Sequence, residues 1–310
     1  MRQAIFIGIR EDKSPREVIR EQTFPSKQVI KEQIPDEKKK SKSISTKKTM
    51  KSSELKLTHL DKIYWPEEGY TKGDLIDYYS QVAPLILPYL KNRPETLRRF
   101  PNGIEGDSFY QKEMGNVPSW IRTEEIEHED HSVRYLFIEE TNALLYTANL
   151  GCIGFHPFNS RFDTLYTPDY LVIDLDPEAI SFEKVIEAAQ GVYEVLEELK
   201  IPSVCKTSGA RGMHIYIPMG ARYTFEQVKQ FANLLVHLVH ERLPDFTSIE
   251  RSPAKRQKRV YLDYLQNRFA QTVAAPYSVR PLPGATVSTP LKWSEVKTGL
   301  NPADFTIKTV

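Results

Sequence analysis

The run YLVIDLDP, residues 170–177, decides how this chain is read. Branched and aromatic apolar residues fill most of it, which marks a strand, and in a strand residues i and i+2 point to one face. Asp174 and Asp176 therefore project together from an otherwise apolar strand that Pro177 closes. Two carboxylates at that spacing repel each other, and a hard divalent ion held by oxygen ligands removes the penalty. Two solvent-facing aspartates at a strand end are the plainer reading, and the pattern alone does not separate the two. A third carboxylate, Asp263 in RVYLDYLQN, also follows an apolar run and would complete a two-metal site.

Outward from this strand lies KTSGARGMHIYIP, residues 206–218, a strand-turn-strand interrupted by Gly209 and Gly212. Such a turn is expected to leave backbone amides free to cradle phosphate. Ser208 adds a hydroxyl, Lys206 and Arg211 positive charge, and His214 a donor at the start of the next strand. Ser-Gly turns are common and a lone histidine is often structural, so this piece is suggestive only beside the carboxylates. A basic cluster (Arg251, Lys255, Arg256, Lys258, Arg259) precedes Asp263, and Arg280 follows in APYSVRPLPG. Charged runs are usually solvated faces, yet forked cations flanking metal-binding aspartates suit a triphosphate.

Helical periodicity surrounds these strands. Thr71 opens one helix, with Leu75, Tyr78, Tyr79, Val82 and Ile86 on one face and Asp74 at the capping-box position. Others start at Ser181 and at Thr224, the latter capped with Gln227. Further strands are expected at 204–208, 214–218 and 259–264. The alternation predicts a mixed α/β or α+β domain over residues 57–310, antiparallel-rich and flanked by helices. Residues 23–56 read as a flexible linker: DEKKKSKSISTKKTMKSSELK, from 36 to 56, carries eight lysines and almost no branched or aromatic residues. Ahead of it, residues 1–22 combine a strand-like AIFIGI with SPREVIREQ, a plausible helix start, in a segment too short to bury its own core.

A 40% hydrophobic, 11% aromatic chain of 310 residues holds enough apolar material for such a domain without staples. Cys152 and Cys205 match no metal-ligand spacing and fit a reducing cytosol. No apolar stretch approaches membrane-spanning length, so a cytoplasmic protein without a membrane partner is expected. A formal net charge of +1 advertises no polyanion partner, which leaves local patches to decide.

LVIDLDP, KTSGARGMHIYIP, VYLDYLQN and TVAAPYSVRPLPGATVSTPLKW together resemble the polymerase domain of bacterial DNA ligase D, in the archaeo-eukaryotic primase superfamily. The resemblance runs from Leu57 to Thr306 and takes in DKIYWPEEGYTKGDLIDYY, RPETLRRFPNGI, FYQKEMGNVPSW and IGFHPFNSR in the family's order. It implies a primase-polymerase core in which Asp174, Asp176 and Asp263 hold two divalent ions, manganese ahead of magnesium. It further implies that Ser208 and His214 meet the incoming triphosphate, with Arg211, Arg256 and Arg280 on its phosphates and His156 near its sugar. Ribonucleotides are the family's usual preference. Lys62 and Lys72 match a pair that grips a 5′-phosphate across a gap, and Phe109 and Tyr110 match a position where a ring stacks on the template base. The implied setting is gap filling at broken DNA ends in non-homologous end joining, beside Ku and a ligase domain in the same chain, in the nucleoid-containing cytoplasm. Residues 1–22 resemble the end of that ligase's oligonucleotide-binding fold, which would make the chain a fragment.

Two departures stand out. Leu282 occupies the second arginine of the family's R-x-R, so one phosphate-binding cation is missing unless Lys292 or another replaces it. His59 stands where relatives often carry asparagine. Rival readings are weaker. A haloacid-dehalogenase phosphatase would use Asp174 as nucleophile and Asp176 as acid/base, but it expects a threonine-like residue at Glu178 and leaves Asp263 and the SGARGMH turn without a role. A docking module for 5′-phosphorylated ends needs a degenerate metal site, which the intact triad opposes. A primase is a closer relative, told apart by whether synthesis needs a 3′-hydroxyl.

Overall fold

The computed structural model describes residues 55–128, 131–252, 255–256 and 258–310. The expectations for residues 1–22 and for nearly all of the linker lie outside them. The first half of the described chain runs β1 (Ile63–Trp65), β2 (Tyr70–Thr71), α1 (Lys72–Leu90), β3 (Glu95–Arg99), β4 (Phe109–Gln111), β5 (Arg122–Glu127), β6 (Ser132–Phe137), α2 (Thr141–Asn149) and β7 (Cys152–Pro157). The second runs β8 (Tyr170–Pro177), α3 (Phe182–Glu198), β9 (Val204–Thr207), β10 (Met213–Pro218), α4 (Phe225–Arg242), β11 (Thr247–Ser248), β12 (Val260–Asp263) and β13 (Pro290–Leu291).

The helices begin where side chains can satisfy their first amides. Thr71 and Asp74 form a reciprocal capping box on α1, and Thr224 and Gln227 another on α4. Ser181 precedes α3 but makes no side-chain cap bond. α1 continues through Pro84 and Pro88, past the end of its sequence periodicity at Ile86. α2, nine residues long, has no cap bond at Glu140, and the sequence did not announce it.

Two sheets organise the molecule. One holds six strands in the order β11-β12-β8-β10-β9-β13; the other orders β4-β3-β6-β5, with β7 also pairing β3. The named pairings are antiparallel except β11 with β12. This is the expected mixed α/β, antiparallel-rich architecture.

The pleat of β8 sorts its residues. Leu171, Ile173 and Leu175 turn into a core shared with Val185, Val192, Val228 and Leu235 of α3 and α4. The alternate positions, Val172 and Asp174, face away from those helices, Val172 packing with Tyr216 and Val273. α1 and α2 bury their apolar faces with Leu97, Ile153 and Phe155 of β3 and β7 in a second core. Side chains on the helix-free face of the six-stranded sheet are thus held by a rigid frame while remaining open to a cavity.

Candidate active site

Register brings the acidic residues together. Asp174 on β8 lies opposite Asp263 on β12 and opposite His214 on β10, while Tyr261 is opposite Asp176. His214 Nε2 is 3.4 Å from Asp174 Oδ1, a buried oxygen with no hydrogen-bond partner. Burial, then repulsion from Asp176 and Asp263, holds the Asp174 carboxyl well above the usual carboxylate range, against the pull of Lys206 and Arg280. Asp176, exposed at the cleft mouth, is raised by partial desolvation and by Asp263, with Arg256, Arg211 and Arg280 opposing. Asp263 is tied down: its Oδ1 accepts the Leu265 N–H at 2.7 Å and its Oδ2 the Gln266 side-chain N–H at 3.2 Å. Among the described residues no three His, Cys, Asp or Glu side chains are grouped closely enough to enclose a metal ion. The oxygen-only donors, the mutual repulsion and the unpartnered Asp174 oxygen nevertheless fit hard divalent cations.

The glycine turn corrects one expectation. Three of its amides are already engaged: Ser208 Oγ accepts the Ala210 N–H at 3.2 Å and the Gly212 N–H at 3.1 Å, and Ser208 N–H donates to Gly212 O. A serine hydroxyl accepting twice keeps its own proton to donate. Glycine is required at both positions. Gly209 has φ +70° and lies against the Ser288 backbone, and a Cβ on Gly212 would meet Leu175 O at 2.2 Å.

Asp174, Asp176, Ser208, Arg211, His214, His156, Arg280 and Tyr110 all line one cavity of about 320 Å³. Burial and the charges of Arg280, Lys206 and Arg98 push His156 down to about 3. Burial, then Lys206 and Arg280, also hold His214 well below its ordinary value. Both imidazoles are therefore neutral donors or acceptors at physiological pH. Arg280, half-buried, leaves its Nε without a partner.

Four expected residues stand apart from this wall, the first being Asp263, which strand register holds opposite Asp174. Lys206 is not on the cavity wall: it is buried at 2% exposure behind His214. Arg256 stacks 3.8 Å over Tyr261 and donates to the carbonyls of Glu250 and Arg251, so it acts on Asp176 through its field alone. On β4, Tyr110 lines the cavity, whereas its neighbour Phe109 packs under the Arg99 guanidinium and is not on the wall.

At Leu282 no cation is present; its carbonyl accepts from Trp65 Nε1 at 2.8 Å, and Lys292 is not on the cavity wall. Arg98, which the sequence reading left out, is the cation nearby. Its guanidinium lies 5.5 Å from the Tyr110 ring, its Nε is buried without a partner, and its charge depresses both His156 and Arg280. Only the β3 pairings to β4 and β7 bring it here, and no local motif signals them.

The lysine pair lies elsewhere on the chain. Lys62 Nζ donates to Pro101 O at 2.7 Å and Asn102 Oδ1 at 2.6 Å, and Lys72 Nζ to Thr58 O at 2.8 Å. Lys72 is buried, and desolvation together with the charge of Lys62 lowers its pKa. His59, three residues ahead of Lys62, adopts φ 54°.

Carboxylates, neutral imidazoles and arginines thus gather around one cavity. A family model described as LigD, primase-polymerase domain, matches residues 71–310. The chain belongs to the LigD primase-polymerase family. It is 36% identical over 261 residues to the bifunctional non-homologous end joining protein LigD of Bacillus subtilis, covering 83% of this chain and 42% of that one. It is 32% identical over 295 residues to the multifunctional LigD of Pseudomonas aeruginosa, covering 94% and 34%. The chain thus spans less than half the length of these relatives. A solved polymerase domain from Mycobacterium tuberculosis ligase D, in complex with DNA, superposes with a TM-score of 0.77 at 26% identity, over 82% of this chain and 92% of that one. The LigD primase-polymerase fold is the one described above. Among the described residues no helix is long and apolar enough to cross a membrane.

Proposed function

We propose that this chain is a template- and primer-dependent nucleotidyltransferase that fills short gaps at DNA breaks bearing a 5′-phosphate, preferring ribonucleotides, in non-homologous end joining. The observation that carries the reading is the single cavity where unpartnered Asp174 Oδ1 meets Ser208, His214 and two arginines. An anionic substrate and its cations are what such a mixed wall lacks.

Asp174, Asp176 and Asp263 are the ligands we assign to two divalent ions, manganese ahead of magnesium, which when bound would lower the pKa of the primer 3′-hydroxyl and neutralise the departing pyrophosphate. The chain's own groups orient and neutralise. Ser208 offers its free hydroxyl proton and His214 a ring N–H to the triphosphate. Arg211 at the rim and Arg280 in the wall meet its charge, and Arg256 and Arg98 add field from behind. His156, held neutral, is available to the sugar hydroxyls. Tyr110, 67% exposed, offers a stacking face to the template base, with Phe109 and Arg99 bracing the strand beside it. Lys62 and Lys72 take the 5′-phosphate, each retaining at least one N–H donor beyond those already engaged.

In the wider assignment, residues 57–310 are the catalytic domain, 23–56 a tether and 1–22 the end of a ligase module. Ku and that ligase are the partners, in the nucleoid-containing cytoplasm. The test is extension of a labelled primer across a short 5′-phosphorylated gap with Mn²⁺ and either ribo- or deoxyribonucleotides, for wild type and Asp174→Ala. Metal-dependent product, richer with ribonucleotides and absent in the variant, supports the reading. Binding of the gap without product with either metal or nucleotide set overturns it in favour of a docking module.

A further inference from the structure

Lys206 is a buried lysine with no place in the cavity wall, yet its side chain is fully engaged. It sits on β9 directly opposite His214 on β10. Its Nζ is 2.8 Å from His214 Nδ1 and hydrogen-bonds Ser288 Oγ, and the Tyr216 ring centroid is 5.8 Å away. Ser288 Oγ donates its own proton to Thr207 O at 2.8 Å, so it can only accept from Lys206. An amine carries at least two N–H groups whether or not it is charged, which leaves one for His214 Nδ1. On the far side of the ring, Nε2 lies 3.4 Å from Asp174 Oδ1 without hydrogen-bonding it, so a proton there is left free for a ligand. A donor at Nδ1 favours the tautomer with the proton on Nε2.

We propose that Lys206 is a positioning residue that locks the His214 imidazole in its Nε2–H tautomer and in one ring orientation, so that the N–H is presented to the incoming triphosphate. The inference rests on the assignment of His214 to the triphosphate and extends it to a group that never touches substrate. The lattice behind it is short: Thr207 O holds Ser288, Ser288 and His214 hold Lys206, and the β9–β10 pairing holds Lys206, Thr207 and His214 in register.

The test is a long-range ¹⁵N–¹H spectrum of histidine-labelled protein, with the His214 signal assigned by its loss in His214→Gln, for wild type and Lys206→Met. Methionine keeps the length of the lysine stem and removes the donor. Wild type is expected to show the Nε2–H pattern. Lys206→Met is expected to lose it to a mixture of tautomers and to raise the KM for the nucleoside triphosphate about tenfold, the scale of one misdirected charge-assisted hydrogen bond. kcat should fall less, and affinity for the 5′-phosphorylated gap should not move. A wild-type His214 protonated on Nδ1 overturns the proposal even if the variant fails to fold. So does a folded Lys206→Met that retains both the tautomer and the triphosphate KM. If the tautomer changes while KM does not, the positioning role stands and the placement of His214 on the triphosphate falls.

Discussion

The carboxylate cleft and the lysine pair treat buried charge in opposite ways. In the cleft, Asp174 Oδ1 and Arg280 Nε are shut away from water with no partner, and three aspartates on neighbouring strands repel one another. At the lysines, each ammonium already donates to oxygens of the chain: Lys62 to Pro101 and Asn102, Lys72 to Thr58. The cleft is electrostatically incomplete by itself, whereas the lysine site is finished and preorganised. A site of the first kind gains most when ligands arrive; a site of the second loses little without them.

Substitutions sharpen that contrast. Asp174→Asn keeps the shape but removes the charge, and should cut metal-dependent primer extension on the order of 10³-fold, comparable to losing a transition-state contact in a dry site. Single-turnover extension measures it, and a loss under tenfold breaks the claim that the cleft depends on its carboxylates. Tyr110→Ala removes a stacking face and should weaken binding of the templated gap by about 1–3 kcal/mol, nearly equally for all four template bases; a strong dependence on the base would point to edge readout instead. Lys62→Ala should cost least, about 1 kcal/mol of the preference for a 5′-phosphate over a 5′-hydroxyl, and reduce the salt slope of binding by about one. A Lys62→Ala effect on chemistry equal to that of Asp174→Asn would erase the distinction between the sites.

Much of this was legible in the chain. The i, i+2 spacing of Asp174 and Asp176 placed both carboxyls on one face of β8, and the capping boxes at Thr71 and Thr224 fixed two helix starts, because both are local rules. The pairing of β12 beside β8, which sets Asp263 opposite Asp174, was assumed and depends on register. Non-local facts were hidden. The Ser208 hydroxyl takes the Ala210 and Gly212 amides, two of those expected to be free, because the turn folds onto its own first side chain. Lys206 looked like a phosphate ligand because charge in a strand gives no hint of what the opposite strand presents. Arg98 was missed since its place near Arg280 comes from β3 pairing with strands far away in sequence.

Stability without metal tests the central claim most directly. Because the folded-state pKa of Asp174 is raised, the folded protein holds a proton that the unfolded chain gives up near pH 4. In chelator, wild-type stability should therefore fall relative to Asp174→Asn as pH rises from about 4 through that raised value. At neutral pH the variant should be the more stable of the two. Adding Mn²⁺ should then raise the unfolding midpoint of wild type and leave the variant nearly unmoved. An Asp174→Asn protein that is less stable than wild type in chelator at neutral pH, or a wild type indifferent to Mn²⁺, would contradict a carboxylate cluster built to be completed by cations.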